Sequence, residues 1–223
     1  MMSIQSLAIH ADRLTRWTAV ALGFSIPISV ALDNVLVALL LLCWAASGQY
    51  RERLAVIRNN PVAVLACVLF VLYAGGALYS MGGRGDVLHS LDKVTVLLLI
   101  PILISAPLDQ KARDLALHAF MAAVVITLVL SFLVWFGAVP HGRFVKGTPA
   151  DAVVFKYHIT HSLLMAFGAY LFALKARCCT SEKLRLTYSA IAALAAFNVL
   201  FMVEGRTGQL VLFALFLHLL FLW

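Results

Sequence analysis

Charge is what this sequence lacks most. Asp, Glu, Lys and Arg make up 12% of its 223 residues, about half of the roughly 25% typical of soluble domains. A soluble domain of this size must clothe its surface in polar groups, and a chain that is 63% hydrophobic has too few of them. Its surplus apolar surface requires lipid, and the same composition excludes disorder. Cysteine is scarce as well. Cys43, Cys67, Cys178 and Cys179 show no CxxC spacing, and two of them lie inside apolar runs, so no disulfide framework is implied. The adjacent Cys178 and Cys179 leave acylation, metal binding and a plain juxtamembrane pair open. No phosphate-cradling glycine loop, zinc-protease motif or nucleophile elbow is present, which argues against ATP chemistry within the chain. Acidic residues number 10 against 17 basic ones. The basic residues are scattered between apolar runs rather than clustered, so the net charge of +7 describes membrane topology and no nucleic-acid partner is expected.

What remains between the charges is a series of charge-free stretches: 17–32, 34–50, 59–83, 94–108, 115–142, 157–174, 186–203 and 207–223. A helix rises about 1.5 Å per residue, and roughly 20 residues cross a 30 Å hydrocarbon core. The shorter stretches span if flanking Lys and Arg snorkel. The expected fold is therefore all-α, with about eight transmembrane helices. Placing the N-terminus in the cytoplasm leaves Arg84, Lys93, Arg143, Lys146, Lys156 and Arg206 outside and the other basic residues inside, as the positive-inside rule prefers. Residues 1–31 also carry the outline of a signal peptide, but a further apolar stretch begins at once after Asp33. Asp33 and Asn34 are expected to form a tight hairpin turn, and Pro27 and Pro101 to sit inside spans whose neighbours absorb the kink. Trp17, Trp44, Trp135 and Trp223 stand near span ends, as interface anchors do. The connection from His141 to Lys156, with its turn residues and basic side chains, reads as an outer loop facing substrate.

Charged residues close to a membrane are functional candidates, since an ionised side chain at the bilayer centre costs about 2.5–3.5 kcal/mol on insertion scales. The sharpest group is Glu204-Gly205-Arg206-Thr207-Gly208-Gln209, between two apolar runs. Glycine permits a helix break and close backbone approach, and a guanidinium grips a phosphate oxygen pair in a fork that Lys cannot match. The same spacing equally fits an ordinary interhelical turn. A second group is Asp86, His89, Asp92 and Lys93, where His89 and Lys93 share one helix face; it reads as a cationic extension of an outer site or as a solvated helix start. His158 and His161 are three apart, beside Lys156, and lack a nearby carboxylate or thiol to complete a metal site. His218 reads as a packing residue paired to a backbone carbonyl.

Several segments together resemble the O-antigen ligase and polymerase superfamily of bacterial inner-membrane glycan-transfer proteins. They are Ser90-Leu91-Asp92-Lys93 leading into Leu97-Leu98-Leu99-Ile100-Pro101-Ile102, His158-Ile159 with Ser162-Leu163-Leu164-Met165-Ala166, and above all Glu204-Gly205-Arg206-Thr207-Gly208-Gln209-Leu210. The last is similar to the short Arg-Thr-Gly motif that opens the family's shared domain. The resemblance implies residues 1–187 as an N-terminal bundle of about six spans and 188–223 as the incomplete start of that domain. It also implies transfer of a glycan from a polyprenyl-diphosphate carrier to an outer-face acceptor such as the lipid A core, without metal, nucleotide or other cofactor. Arg206 then matches the catalytic arginine, with Lys93, Asp92, Lys156, His158 and Glu204 as substrate contacts. Family members continue into a large outer loop bearing a further arginine and a histidine, so on this pattern the chain is an N-terminal part of a member. A polymerase or protein glycosyltransferase shares this half of the molecule. A polytopic transporter or channel subunit is the competing class, disfavoured because charges here fall in loops rather than along a transmembrane path, and a non-catalytic membrane scaffold fits the composition equally well.

Overall fold

The computed structural model describes residues 4–80, 83–139, 142 and 145–222, with backbone alone for residues 4–8 and 84. His141, Arg143, Trp223 and the side chain of Arg84 lie outside the described residues. Every regular element among the described residues is helical, apart from an isolated bridge between Thr148 and Asp151.

Helix α1, Ile4–Ser25, stops ahead of Pro27. Proline offers no N–H to the helix ladder and disfavours helical backbone at the residue before it. The chain turns over Ile26–Ser29, where the amides of Ile28 and Ser29 both donate to Ser25 O at 2.8 and 2.9 Å. Helix α2, Val30–Ala46, follows. The first turn of the chain is thus made at Pro27, and Asp33 and Asn34 lie inside α2, a correction to the expected hairpin. Asp33 sits in the first helical turn, where a carboxylate is favoured by the macrodipole.

Gly48, at φ +69°, lets α2 bend through 116° into α3, Tyr50–Asn59. Asn60 then caps α4, Pro61–Ala77: its Oδ1 accepts from the amides of Val62 and Ala63 at 3.0 and 3.1 Å, and Pro61 fills the first helical position, where no amide is needed. Helix α5, Arg84–Thr95, passes through a 3₁₀ turn at Val96–Leu98 into α6, Leu99–Ser105. Pro101 thus lies in the first turn of α6, directly after the 3₁₀ turn, where a missing amide is tolerated. The remaining helices are α7 (Gln110–Trp135), α8 (His158–Cys178), α9 (Glu182–Phe197), a π-helical turn at Asn198–Met202, and α10 (Arg206–Phe221).

Among the described residues four helical segments are long and apolar enough to cross a membrane, Gly85–Ser105, Gln110–Trp135, His158–Cys178 and Glu182–Met202, or five if the bent α2–α3 pair is one span. Pro61–Ala77 and Arg206–Phe221 are apolar but shorter. The chain is an all-helical protein whose apolar helices suit contact with a bilayer.

The backbone forms two compact units. One holds the chain up to Thr18 with Val37–Gln110, the other Ala19–Leu36 with everything from Lys111 onward. In the first unit Arg53 is 3% exposed and fully engaged: it donates to Asp12 Oδ1 at 3.2 Å and to Trp44 O at 2.9 Å, and its guanidinium lies 5.3 Å from the Trp44 ring centre. Trp44 in turn donates to Ser105 Oγ at 3.0 Å and so ties α2 to α6. Arg16 pairs with Asp109 at 3.1 Å.

The second unit is built on α7, α8 and α9, whose core includes Phe120, Val124, Leu128, Met165, Phe172 and Val199. Gly168 brings α8 against α7, and a Cβ there would stand 2.6 Å from Val124 Cγ1. Gly168→Ala is expected to cost about 1–3 kcal/mol, the usual range for overpacking a filled core. Thermal unfolding in detergent checks this, with Gly75→Ala, where a Cβ meets nothing, as the control.

Candidate functional site at the starts of helices 8 and 10

The segment 145–156 is the organiser of this site. It is a packed element whose Val145, Ala152, Val153 and Val154 form a second core with Val134, Met202 and Val203. Lys146 N donates to Val154 O at 3.0 Å, and Ala152 N donates to Met202 O at 2.8 Å. Gly147 is needed here because a Cβ would run into the Val153 carbonyl oxygen. Beneath this segment lies a buried polar chain. Ser131 Oγ donates to Ala152 O, Asn198 Nδ2 donates to Ser131 Oγ at 2.7 Å, and His161 Nε2 meets Asn198 Oδ1 at 3.2 Å. All three side chains are essentially inaccessible, so each polar atom needs its partner. His161 is thereby a structural residue, and His158, three positions earlier, is exposed. Among the described residues no group of three or more metal-ligating side chains occurs.

The π-helical turn carries Asn198 into that chain, and the backbone then leaves the helix at Val203–Gly205 and restarts α10 at Arg206. Glu204 N donates to Asp151 Oδ1 at 3.3 Å, tying the break to the 145–156 segment. The two glycines that bracket Arg206 and Thr207 have a packing role. A Cβ on Gly205 or on Gly208 would collide with Ser162 of α8, and at Gly205 it would also lie 3.0 Å from His158 O. Helices 8 and 10 therefore begin side by side, in van der Waals contact.

Their adjoining N-termini hold Arg206 and His158, both exposed, and Lys146 approaches from the loop with its ammonium 4.3 Å from the Tyr157 ring centre. Among the described residues Arg206 makes no ion pair, whereas Arg16, Arg53 and Lys156 each do. Two helix starts contribute positive potential to this mouth, and Asp151 and Glu204 add carboxylates at its edge.

The expected site residues thus divide. Arg206, Glu204 and His158 come together. Lys156 is buried and committed to Asp33, Nζ to Oδ2 at 2.9 Å, while Asp33 Oδ1 accepts from Ser25 Oγ at 2.5 Å. Asp92 and Lys93 are exposed on α5, in the first unit. A cavity of about 470 Å³ lies there between α4 and α5, lined by Leu72, Tyr73, Asp86, Ser90 and Val94 among others, and neither Asp92 nor Lys93 lines it. His218 pairs with the Tyr170 hydroxyl at 2.8 Å rather than with a carbonyl. Sequence reasoning missed Asn198, Ser131 and Asp151, because nothing in their local spacing distinguishes them.

The chain shows no significant match to any protein-family model, curated protein or solved structure.

Proposed function

We propose that this chain is an O-antigen ligase-like glycosyltransferase of a bacterial inner membrane, moving a glycan from a polyprenyl-diphosphate carrier to an outer-face acceptor such as the lipid A core. One observation carries the reading. Arg206 is an exposed guanidinium with no ion pair among the described residues, set where two helices start in contact. A diphosphate is the ligand such a place suits: the planar fork takes two oxygens of one phosphate, and the aligned amides of two first turns add favourable potential. As the glycosyl bond to the carrier breaks, negative charge builds on the departing diphosphate, and a fixed guanidinium stabilises that charge more than it stabilises bound donor. His158 and Lys146 flank the same mouth, and the Lys156–Asp33 pair holds the segment that presents it. Membranes bearing the full-length protein should transfer a polyprenyl-diphosphate glycan to lipid A core with chelator present and ATP absent. Transfer no greater than in membranes lacking the protein refutes the assignment.

The same reading places eight spans across the membrane, with the N-terminus in the cytoplasm and the mouth at Arg206 on the periplasmic side. A cysteine at Ala150, which is exposed, is expected to react with a membrane-impermeant thiol reagent in intact cells, and one at Glu182 is not, both in a background without the native cysteines. Labelling at Glu182 alone inverts the orientation.

A further inference from the structure

Two clefts on the second unit share part of their lining. One, about 260 Å³, lies between α8, α9 and α10 and is wholly apolar apart from the Tyr170 hydroxyl, with Ala169, Ala196, Leu212 and Phe216 in its wall. The other, about 440 Å³, shares Ala173, Ala192 and Leu219 with the first and ends on Arg177, Arg185 and Ser189. The arginines come from the last turn of α8 and the first turns of α9, so the α8–α9 connection brings two guanidiniums to one end of an apolar channel. The far end is closed by Tyr170, whose hydroxyl bonds His218. Alanines on α8 and α9 make the channel, because each leaves unfilled the volume that a Leu would occupy.

We propose that this channel is a binding site for one anionic phospholipid, its acyl chain lying along the alanine-lined cleft and its phosphate on Arg177 and Arg185. The dimensions and the charge agree on this occupant. Together the two clefts fall within the roughly 300–1,000 Å³ of small-molecule sites. An apolar cleft that ends on two arginines suits a single hydrocarbon chain carrying an anionic headgroup. A free phosphate has no use for the apolar extension. Two arginines at a helix–helix turn are the form that basic headgroup pockets take between membrane helices, and guanidinium pairs with phosphate oxygens in a fork. Lys175, Glu182 and Lys183 flank the same turn in the sequence.

The test uses the whole chain in detergent–lipid micelles, with phosphatidylglycerol and phosphatidylcholine carrying the same photoreactive acyl chain. On the wild-type protein, phosphatidylglycerol is expected to label α8, α9 and α10 about thirtyfold more efficiently than phosphatidylcholine, the combined effect of two arginines near an anionic headgroup. Arg177→Gln with Arg185→Gln should bring phosphatidylglycerol down to the phosphatidylcholine level. Ala173→Leu, which fills the shared part of the channel, should reduce labelling by both lipids. Excess glycerol phosphate should not compete, which separates a lipid site from a phosphate site. Equal labelling of the wild type by the two lipids overturns the proposal, and that comparison needs no variant. So does a preference that survives the double substitution, competition by glycerol phosphate, or crosslinks that map outside these three helices.

Discussion

Asp33→Ala is expected to destabilise the second unit by about 3 kcal/mol, the low end of the cost of orphaning one member of a buried ion pair. The low end applies because Asp33 keeps 20% of its side-chain surface exposed, while Lys156 keeps 8%. With Asp33 removed, the buried Lys156 ammonium keeps its charge unmatched, and the Ser25 hydroxyl is left with Leu22 O as its acceptor, at 3.3 Å. Thermal or SDS-driven unfolding in detergent gives the number. Asp33→Ala combined with Lys156→Met takes away both charges and should recover most of the loss, since a buried pair replaced by apolar groups is often neutral. A double variant no more stable than the single one overturns the account, as does a single variant as stable as the wild type.

In the full-length protein Arg206→Ala should lower glycan transfer by about 100-fold or more, the scale on which loss of one pre-positioned donor to a charge-developing oxygen is felt. Arg206→Lys should restore only part of it, because the ammonium keeps the charge and loses the fork. A second readout separates this from misfolding. The wild-type protein should retain a polyprenyl diphosphate better than the corresponding monophosphate, and Arg206→Ala should erase that difference while leaving the melting temperature unchanged, since the side chain is exposed and has no ion pair among the described residues. Wild-type transfer by Arg206→Ala would reduce Arg206 to a turn residue and remove the main support for the ligase reading.

Local features of the sequence were readable where the physics is local. Apolar runs announced helices, and the break before Arg206 followed from its flanking glycine. Charge-free stretches were a poorer guide to where helices end. Asp33 was taken as a loop residue because it interrupts an apolar run, yet its counter-ion is 123 positions away, and no spacing rule reveals a partner at that distance. The same blindness made Lys156 a ligand candidate. His158 and His161 stood out as a pair by their interval, but the partner of His161 is Asn198, on another helix and in a π-helical turn that leaves no compositional trace. The glycines around Arg206 were read for what they let a ligand do, and the contact that requires them is with Ser162, again far off in the chain. Long-range contacts decided each of these cases.

The distance between Asp33 and Lys156 also has a meaning in time. Chains are made at about 5–20 residues per second, so the 123 residues separating the two correspond to roughly 6–25 s during which Asp33 has left the ribosome and its ammonium partner does not yet exist. Ser25, eight positions upstream, is already present throughout that interval, and its hydroxyl is a hydrogen-bond donor available to the carboxylate from the outset. The Ser25–Asp33 contact joins residues eight apart in the chain and the Lys156–Asp33 contact does not, so the first needs nothing that is synthesised later. Ser25→Ala should accordingly lower the yield of inserted protein more than it lowers the stability of the molecules that reach the folded state.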